Sequence, residues 1–336
     1  MKRIGNLYEK VCSIENLQLA DEKARKGKLR TYGVIEHDKK REVNLLKLRE
    51  TLLNGTFHTS KYDVFTIYEP KEREIYRLPY FPDRILHHAI MNVLEPIWVS
   101  TFTADTYSCI KNRGIHAAAK KVKQALREDP EGTTFCLKLD IRKFYPSINH
   151  DVLKSILRRK LKDKRLLRLL DEIIDSADGV PIGNYLSQYF ANLYLTYFDH
   201  WIKEQKRVKH YFRYADDIVI LASDKSYLHS LMGEIRAYLG DLKLEVKGNW
   251  QVFPVAARGI DFVGYVFFHT HTRMRKGIKK TFLPAVAKLN KRKRPLSEKD
   301  FKQAICPWWG WAKSCDSKHL IKKLSKTSKY EIKFKR

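Results

Sequence analysis

The run Tyr211-Phe212-Arg213-Tyr214-Ala215-Asp216-Asp217-Ile218-Val219-Ile220-Leu221-Ala222 decides the fold. Both flanks are built from aromatic and β-branched residues, which fit a pleated surface, and they enclose a short acidic break. The pattern is strand, tight turn, strand. Two adjacent carboxylates at a hairpin tip repel each other, and a fold tolerates them best with a cation between them. Oxygen-only ligands suit Mg²⁺, with Mn²⁺ as a substitute. A solvated polar turn is the other reading of Tyr214-Ala215-Asp216-Asp217, and the surrounding sequence decides between the two.

Upstream, Phe135-Cys136-Leu137-Lys138-Leu139-Asp140-Ile141 reads as a largely apolar strand ending at an acid. An ionised carboxylate is costly beside a core, so an acid there points to function. Asp140 and Asp216 on adjacent strands would hold two metal ions roughly 3.5–4 Å apart, the arrangement that activates a 3′-hydroxyl and stabilises a leaving pyrophosphate. Helices are expected over 43–53, ending at Asn54-Gly55, and over 83–98, 114–127, 153–174, 186–205 and 228–239. A hairpin with a basic tip is expected over 62–80, and strands over 243–246, 251–255 and 262–267. Strands and helices interleave in one central region, so the fold class is α+β, a sheet covered by helices, followed by a basic helical segment after Thr272.

The 336 residues carry 66 Lys/Arg against 38 Asp/Glu, a formal net charge of +28. Residues 271–336 alone hold 21 basic and 4 acidic side chains, +17 of that total. Such asymmetry favours a polyanionic partner. No stretch approaches the roughly 18–20 uncharged apolar residues of a spanning helix, so no membrane is expected. The five cysteines (Cys12, Cys109, Cys136, Cys306 and Cys315) show no C-x-x-C spacing, which suits reduced thiols in a cytoplasm. Walker, G-x-G-x-x-G and G-x-S-x-G motifs are missing, which removes support for hydrolase and dehydrogenase readings.

Asp140 with Phe144-Tyr145, the Tyr214-Ala215-Asp216-Asp217 box and Phe262-Val263-Gly264-Tyr265 resemble the palm motifs of reverse transcriptases, in that family's order and approximate spacing. Pro70-Lys71-Glu72-Arg73-Glu74-Ile75 and Asp83-Arg84 resemble its fingers motifs. The resemblance spans roughly residues 62–265. It implies a right-hand fold: an N-terminal helical extension (1–60), fingers (61–130), a palm (131–268) and a small α-helical thumb (269–336). It also makes Asp140, Asp216 and Asp217 the metal acids, with Ile141 adding a main-chain carbonyl. Lys71 and Arg73 would hold the incoming triphosphate; a solvated hairpin is the alternative for those two cations. Tyr145 falls where the family keeps a ring under the incoming sugar, which would exclude a 2′-hydroxyl and select deoxynucleoside triphosphates. A packed core tyrosine is the competing reading.

The segment Pro181-Ile182-Gly183-Asn184-Tyr185-Leu186-Ser187-Gln188 departs from the common pattern. Most reverse transcriptases carry Pro-Gln-Gly there and, four residues after the glycine, Ser-Pro. The combination of Ile182 with Ser187-Gln188 resembles the reverse transcriptases of diversity-generating retroelements, which copy a template RNA and scatter errors opposite its adenines. A glutamine amide fixes a nascent pair by hydrogen bonds, whereas Ile182 offers contact surface alone, and apolar selection is worth about 1–3 kcal/mol. A neutral apolar substitution in a tolerant loop is the alternative.

Gly183 allows close backbone approach to substrate. Lys247 matches the position of the family's proton-donating lysine near pyrophosphate, and Arg113 and Gly114 lie in a stretch that approaches template in the family. Trp308, Trp309 and Trp311 either stack on bases or form a helical core. His87-His88 and His269-x-His271 lack metal-ligand spacing. The resemblance further implies a DNA or RNA primer on the template RNA, a small basic oligomeric accessory protein, and a bacterial or phage-derived cytoplasmic setting. Two other readings stand beside it: a retron, group II intron or defence-type reverse transcriptase, and a catalytically idle RNA-binding protein that kept the palm shape.

Overall fold

The computed structural model describes residues 3–68 and 72–330, which divide into two compact units. Unit 1 takes residues 1–109, 141–206 and 235–247; unit 2 takes 110–140, 207–234 and 248–336.

Unit 1 is mainly helical. Helices Tyr8–Cys12, Ile14–Ala24, Tyr32–Asp38 and Arg41–Asn54 form its N-terminal part. The expected stop is present: Gly55 takes φ +69°, and its N–H closes on the Leu52 carbonyl. A left-handed residue of this kind ends a helix at little cost only when it has no Cβ. The Ile85–Val99 helix buries Ile85, Leu86, Ala89, Ile90, Leu94 and Trp98 and packs against the Ile14–Ala24 helix. Asn16 fastens that pair by donating to the Ala89 carbonyl at 3.0 Å. The only sheet of unit 1 among the described residues is the hairpin β1 (Asp63–Ile67) and β2 (Arg73–Arg77), with Ile67 opposite Arg73.

The helix expected over 153–174 is two helices, His150–Lys160 and Lys164–Asp175. Asp163 breaks it. One carboxylate oxygen caps the second helix through Leu166 N–H at 3.2 Å, and the other accepts Leu7 N–H at 2.8 Å and Tyr8 N–H at 2.9 Å. Four backbone donors at a helix start need acceptors, and Asp supplies one more cheaply as a cap than inside a helix. Tyr185–Tyr194 and Thr196–His200 follow in the expected helical stretch, separated at Leu195. The strand expected over 243–246 is reduced to one antiparallel bridge, Ile141 to Val246.

The N-terminal helices close around one buried acid. Asp21 is fully buried and accepts from Arg25 (2.7 Å), Arg41 (2.5 Å) and the Tyr80 hydroxyl (2.5 Å), with His37 at 3.5 Å. Burial alone would push its carboxyl up, but His37, Tyr80, Arg25 and Arg41 outweigh that and hold it well below the ordinary carboxylate range. A carboxylate whose folded-state pKa is depressed contributes fully above about pH 4 and loses its contribution as pH falls through the folded-state value. Asp21→Asn should therefore cost about 2 kcal/mol at pH 7, since both arginines are partly exposed and re-solvate. The variant should also lose part of the acid-side decline in stability, which urea unfolding between pH 3 and 7 would read out.

Unit 2 holds a four-stranded antiparallel sheet of β3 (Phe135–Asp140), β4 (His210–Tyr214), β5 (Asp217–Ala222) and β6 (Gln251–Pro254), in the order β4-β5-β3-β6. Its core is Cys136, Leu137, Leu139 and the run Ile218–Leu221, all buried. The single strand expected over 262–267 is instead a hairpin, β7 (Ile260–Phe262) and β8 (Tyr265–Phe267), with β9 (Thr272–Met274) beside it. Val263 (φ +41°) and Gly264 (φ +84°) make its turn. Positive φ at both central positions matches the twist of two-residue hairpins. Helices Lys276–Asn290, Glu298–Lys313 and Lys318–Thr327 share a core of Phe282, Val286, Phe301, Ile305, Ile321 and Leu324.

Candidate active site: an acidic hairpin

β4 and β5 are joined by Ala215 and Asp216 alone, since Tyr214 pairs directly with Asp217. Ala215 takes φ +55°, a left-handed conformation that a residue with a Cβ occupies at a cost of roughly 1–2 kcal/mol. What holds it there is Arg213. Its side chain is fully buried, and a guanidinium N–H donates to the Ala215 carbonyl at 3.1 Å. A cation inside a sheet must find acceptors, and one of them here is the carbonyl of the turn itself.

Asp140 ends β3 directly opposite Asp217 on β5, so the two carboxylates stand on the same face of the sheet. Asp216 lies one residue away in the turn. Burial pushes the Asp217 carboxyl up, Lys138 pulls it down, and the charge of Asp140 pushes it up again, leaving it raised. Lys138, two residues before Asp140 on the same strand face, places its ammonium 3.0 and 3.3 Å from the two Asp217 oxygens. Among the described residues no three His, Cys, Asp or Glu side chains are gathered closely enough to hold a metal ion. The donor chemistry nevertheless fits a hard divalent cation: two facing carboxylates with a third adjacent, already hosting one cationic group against Asp217.

Unit 1 carries the residues expected to serve the nucleotide. Ile141 is buried and bridges to Val246, next to Lys247. Tyr145 is half-buried beside buried Phe144, with ring centroids 5.6 Å apart. Its carbonyl accepts Val180 N–H at 2.9 Å. The Ile182 carbonyl accepts Tyr76 N–H of β2 at 2.8 Å, and Gly183 sits at φ +123° with Tyr76 so close that a Cβ would lie 2.6 Å from its carbonyl oxygen. Glycine is required at this approach. Ser187 is buried and Gln188 exposed. Arg73 is exposed at the start of β2; Lys71 lies outside the described residues. In unit 2, Arg113 and Gly114 (φ +131°) precede the Ile115–Glu128 helix.

A cavity of about 200 Å³ in unit 1 is lined by Lys28, Ile75, Arg77, Arg84, His87 and Gly183, among others. Arg84 Nε and His87 Nε2 are buried there without a hydrogen-bond partner. Burial, with His88 and Arg84 beside it, pushes the His87 imidazole down to about 3, so the ring is neutral. The positive side chains of this cavity suit a phosphate-bearing ligand.

Sequence reasoning missed Arg213, Lys138, Lys28 and Arg77, and named Arg84 only as part of a fingers motif. The one available signal was a lone charge inside an aromatic strand, Tyr211-Phe212-Arg213-Tyr214, which demands an internal partner. The tryptophans resolve toward the core: Trp308 stacks on Phe282 at 5.8 Å, Trp311 packs on Tyr265 at 5.0 Å, and all three lie against the helical cluster. All five cysteines are free, and no helix among the described residues is long and apolar enough to cross a membrane.

The profile of the family described as reverse transcriptase (RNA-dependent DNA polymerase) matches residues 69–267. Protein YkfC of Escherichia coli is 26% identical over 279 residues, covering 69% of this chain and 73% of YkfC. The group II intron-encoded protein LtrA of Lactococcus lactis is 23% identical over 191 residues, 52% of this chain and 31% of LtrA. A solved structure of Candida tropicalis telomerase, in complex with a fragment of telomeric RNA, superposes with a TM-score of 0.50 at 12% identity, covering 82% of this chain and 56% of that one. The chain thus spans about a third of the intron protein's length and just over half of the telomerase chain.

Proposed function

Because the chain belongs to the reverse transcriptase family and has its right-hand polymerase fold, we propose that it extends a DNA or RNA primer along a template RNA, joining deoxynucleoside triphosphates by nucleotidyl transfer. The observation that carries this is the facing pair Asp140 and Asp217 at a left-handed turn pinned by Arg213. Asp140, Asp216, Asp217 and the Ile141 carbonyl would hold two Mg²⁺ ions, or Mn²⁺, which when bound activate the 3′-hydroxyl and stabilise the leaving pyrophosphate. Other groups of the chain would orient the substrates. Lys71 and Arg73 meet the triphosphate, and Lys247 stands ready to donate a proton toward the leaving group. Gly183 lets backbone approach the nucleotide, while Arg113 and Gly114 approach the template, and the basic helices after residue 276 grip the duplex through phosphates. Mg²⁺-dependent extension of a primed RNA tests the reading; a folded protein without it would be an RNA-binding relative with an idle palm.

Tyr145 serves as the sugar gate in this proposal, consistent with its half-buried ring. Tyr145→Ala should raise ribonucleotide incorporation relative to deoxynucleotide by about tenfold or more, the scale of discrimination that shape alone provides. Competition assays with matched ribo- and deoxynucleoside triphosphates measure it, and unchanged discrimination removes the gate.

Within the family, we assign the chain to the diversity-generating retroelement type, making adenine-mutagenised cDNA with a small basic oligomeric accessory protein. The support is Ile182 beside Gly183, with Gln188 in place of proline. Ile182→Gln should lower misincorporation opposite template adenine several-fold, read by sequencing cDNA from a defined RNA with and without the accessory protein. An unchanged error spectrum would favour the second reading, an intron-type reverse transcriptase, for which the similarity to LtrA speaks.

A further inference from the structure

Lys138 touches more than its position on β3 requires. Its ammonium contacts both oxygens of Asp217, at 3.0 and 3.3 Å. It also donates to the Asp261 carbonyl of β7 and lies 5.8 Å from the Phe262 ring centroid. The Asp261 carboxylate in turn accepts Arg275 Nε at 2.6 Å, and Arg275 is the residue that starts the Lys276–Asn290 helix. One lysine thus joins the four-stranded sheet carrying the acids to the β7-β8-β9 sheet. Without a cation, Asp140 and Asp217 repel across β3 and β5.

We propose that Lys138 is a positioning residue, the built-in counter-ion that keeps the acid pair assembled and tethers Asp217 to β7, so that a divalent cation has to compete with its ammonium for the Asp217 carboxylate. This rests on the polymerase reading only where the ion serves catalysis. Two consequences pull apart. Removing the ammonium takes a positive charge out of contact with the carboxylates, which strengthens cation binding. It also frees Asp217 from β7, so a bound ion sits in a looser frame and the chemical step slows.

Mn²⁺ binding to the full chain, followed by electron paramagnetic resonance, tests this without reference to activity, with Asp217→Asn identifying the signal of the acid pair. Lys138→Met should bind Mn²⁺ about tenfold more tightly, while kcat for primer extension at saturating Mn²⁺ falls about tenfold and KM for the nucleotide holds. Lys138→Arg should restore both. Should Lys138→Met fail to fold by circular dichroism, Lys138→Gln replaces it. Equal or weaker Mn²⁺ affinity in the variant, or no Mn²⁺ binding lost in Asp217→Asn, overturns the proposal. A wild-type chain that binds Mn²⁺ but extends no primer overturns the polymerase reading instead, and the binding comparison still decides Lys138.

Discussion

Asp140→Asn should lower primer extension by about 10³-fold or more while leaving the fold intact. The substitution keeps side-chain volume and removes one of two facing charges, so its cost falls on cation binding. Because the charge of Asp140 is one of the causes that raise Asp217, removing it should also bring the Asp217 carboxyl down. The two effects separate catalytic loss from collapse: a variant with native circular dichroism and wild-type unfolding midpoint, inactive in Mg²⁺, supports the assignment. Extension within tenfold of wild type in that same folded variant would dismiss Asp140 from the chemistry, and with it the two-ion scheme.

The largest loss of stability is expected from Arg213→Ala, about 4 kcal/mol. The truncation leaves a void in a packed sheet and strands the Ala215 carbonyl, whose turn is left-handed and needs outside support. Arg213→Lys should recover only part, because an ammonium cannot reproduce the guanidinium's fixed fork of donors. Urea unfolding gives the difference directly. A loss under 1 kcal/mol would mean that the turn holds its shape without the arginine. Activity should fall in step, since Asp216 and Asp217 are adjacent to the pinned carbonyl.

The strand-turn-strand reading of residues 211–222 was legible because two runs of aromatic and β-branched residues enclosed a polar break, and β4, the two-residue turn and β5 follow it closely. Asp140 and Asp216 were expected on adjacent strands, whereas the structure leaves Asp216 in the turn and pairs Asp140 with Asp217, since sequence spacing does not fix the register of neighbouring strands. What stayed hidden shares a physical cause: each case depends on a partner far along the chain. Arg213 reads as one more strand residue until the carbonyl it serves is placed. Lys138 reads as the solvent-facing member of an alternating strand until β7 arrives beneath its tip. The break at residues 161–163 was invisible for the same reason, because Asp163 is recruited by the chain's own beginning. The β7-β8 hairpin escaped because Val263 hid the primed turn that Gly264 advertises.

That recruitment at Asp163 bears on how the protein is born. Leu7 and Tyr8 find their acceptor only after more than 150 further residues have been made, and the Ile4–Leu161 bridge waits equally long. On a ribosome adding roughly 5–20 residues per second, the opening helices stay unfastened for on the order of ten seconds. During that interval the Leu7–Tyr8 end lacks its acceptor, so slowed synthesis between residues 8 and 163 should lengthen the time in which this end of the nascent chain stays unfastened.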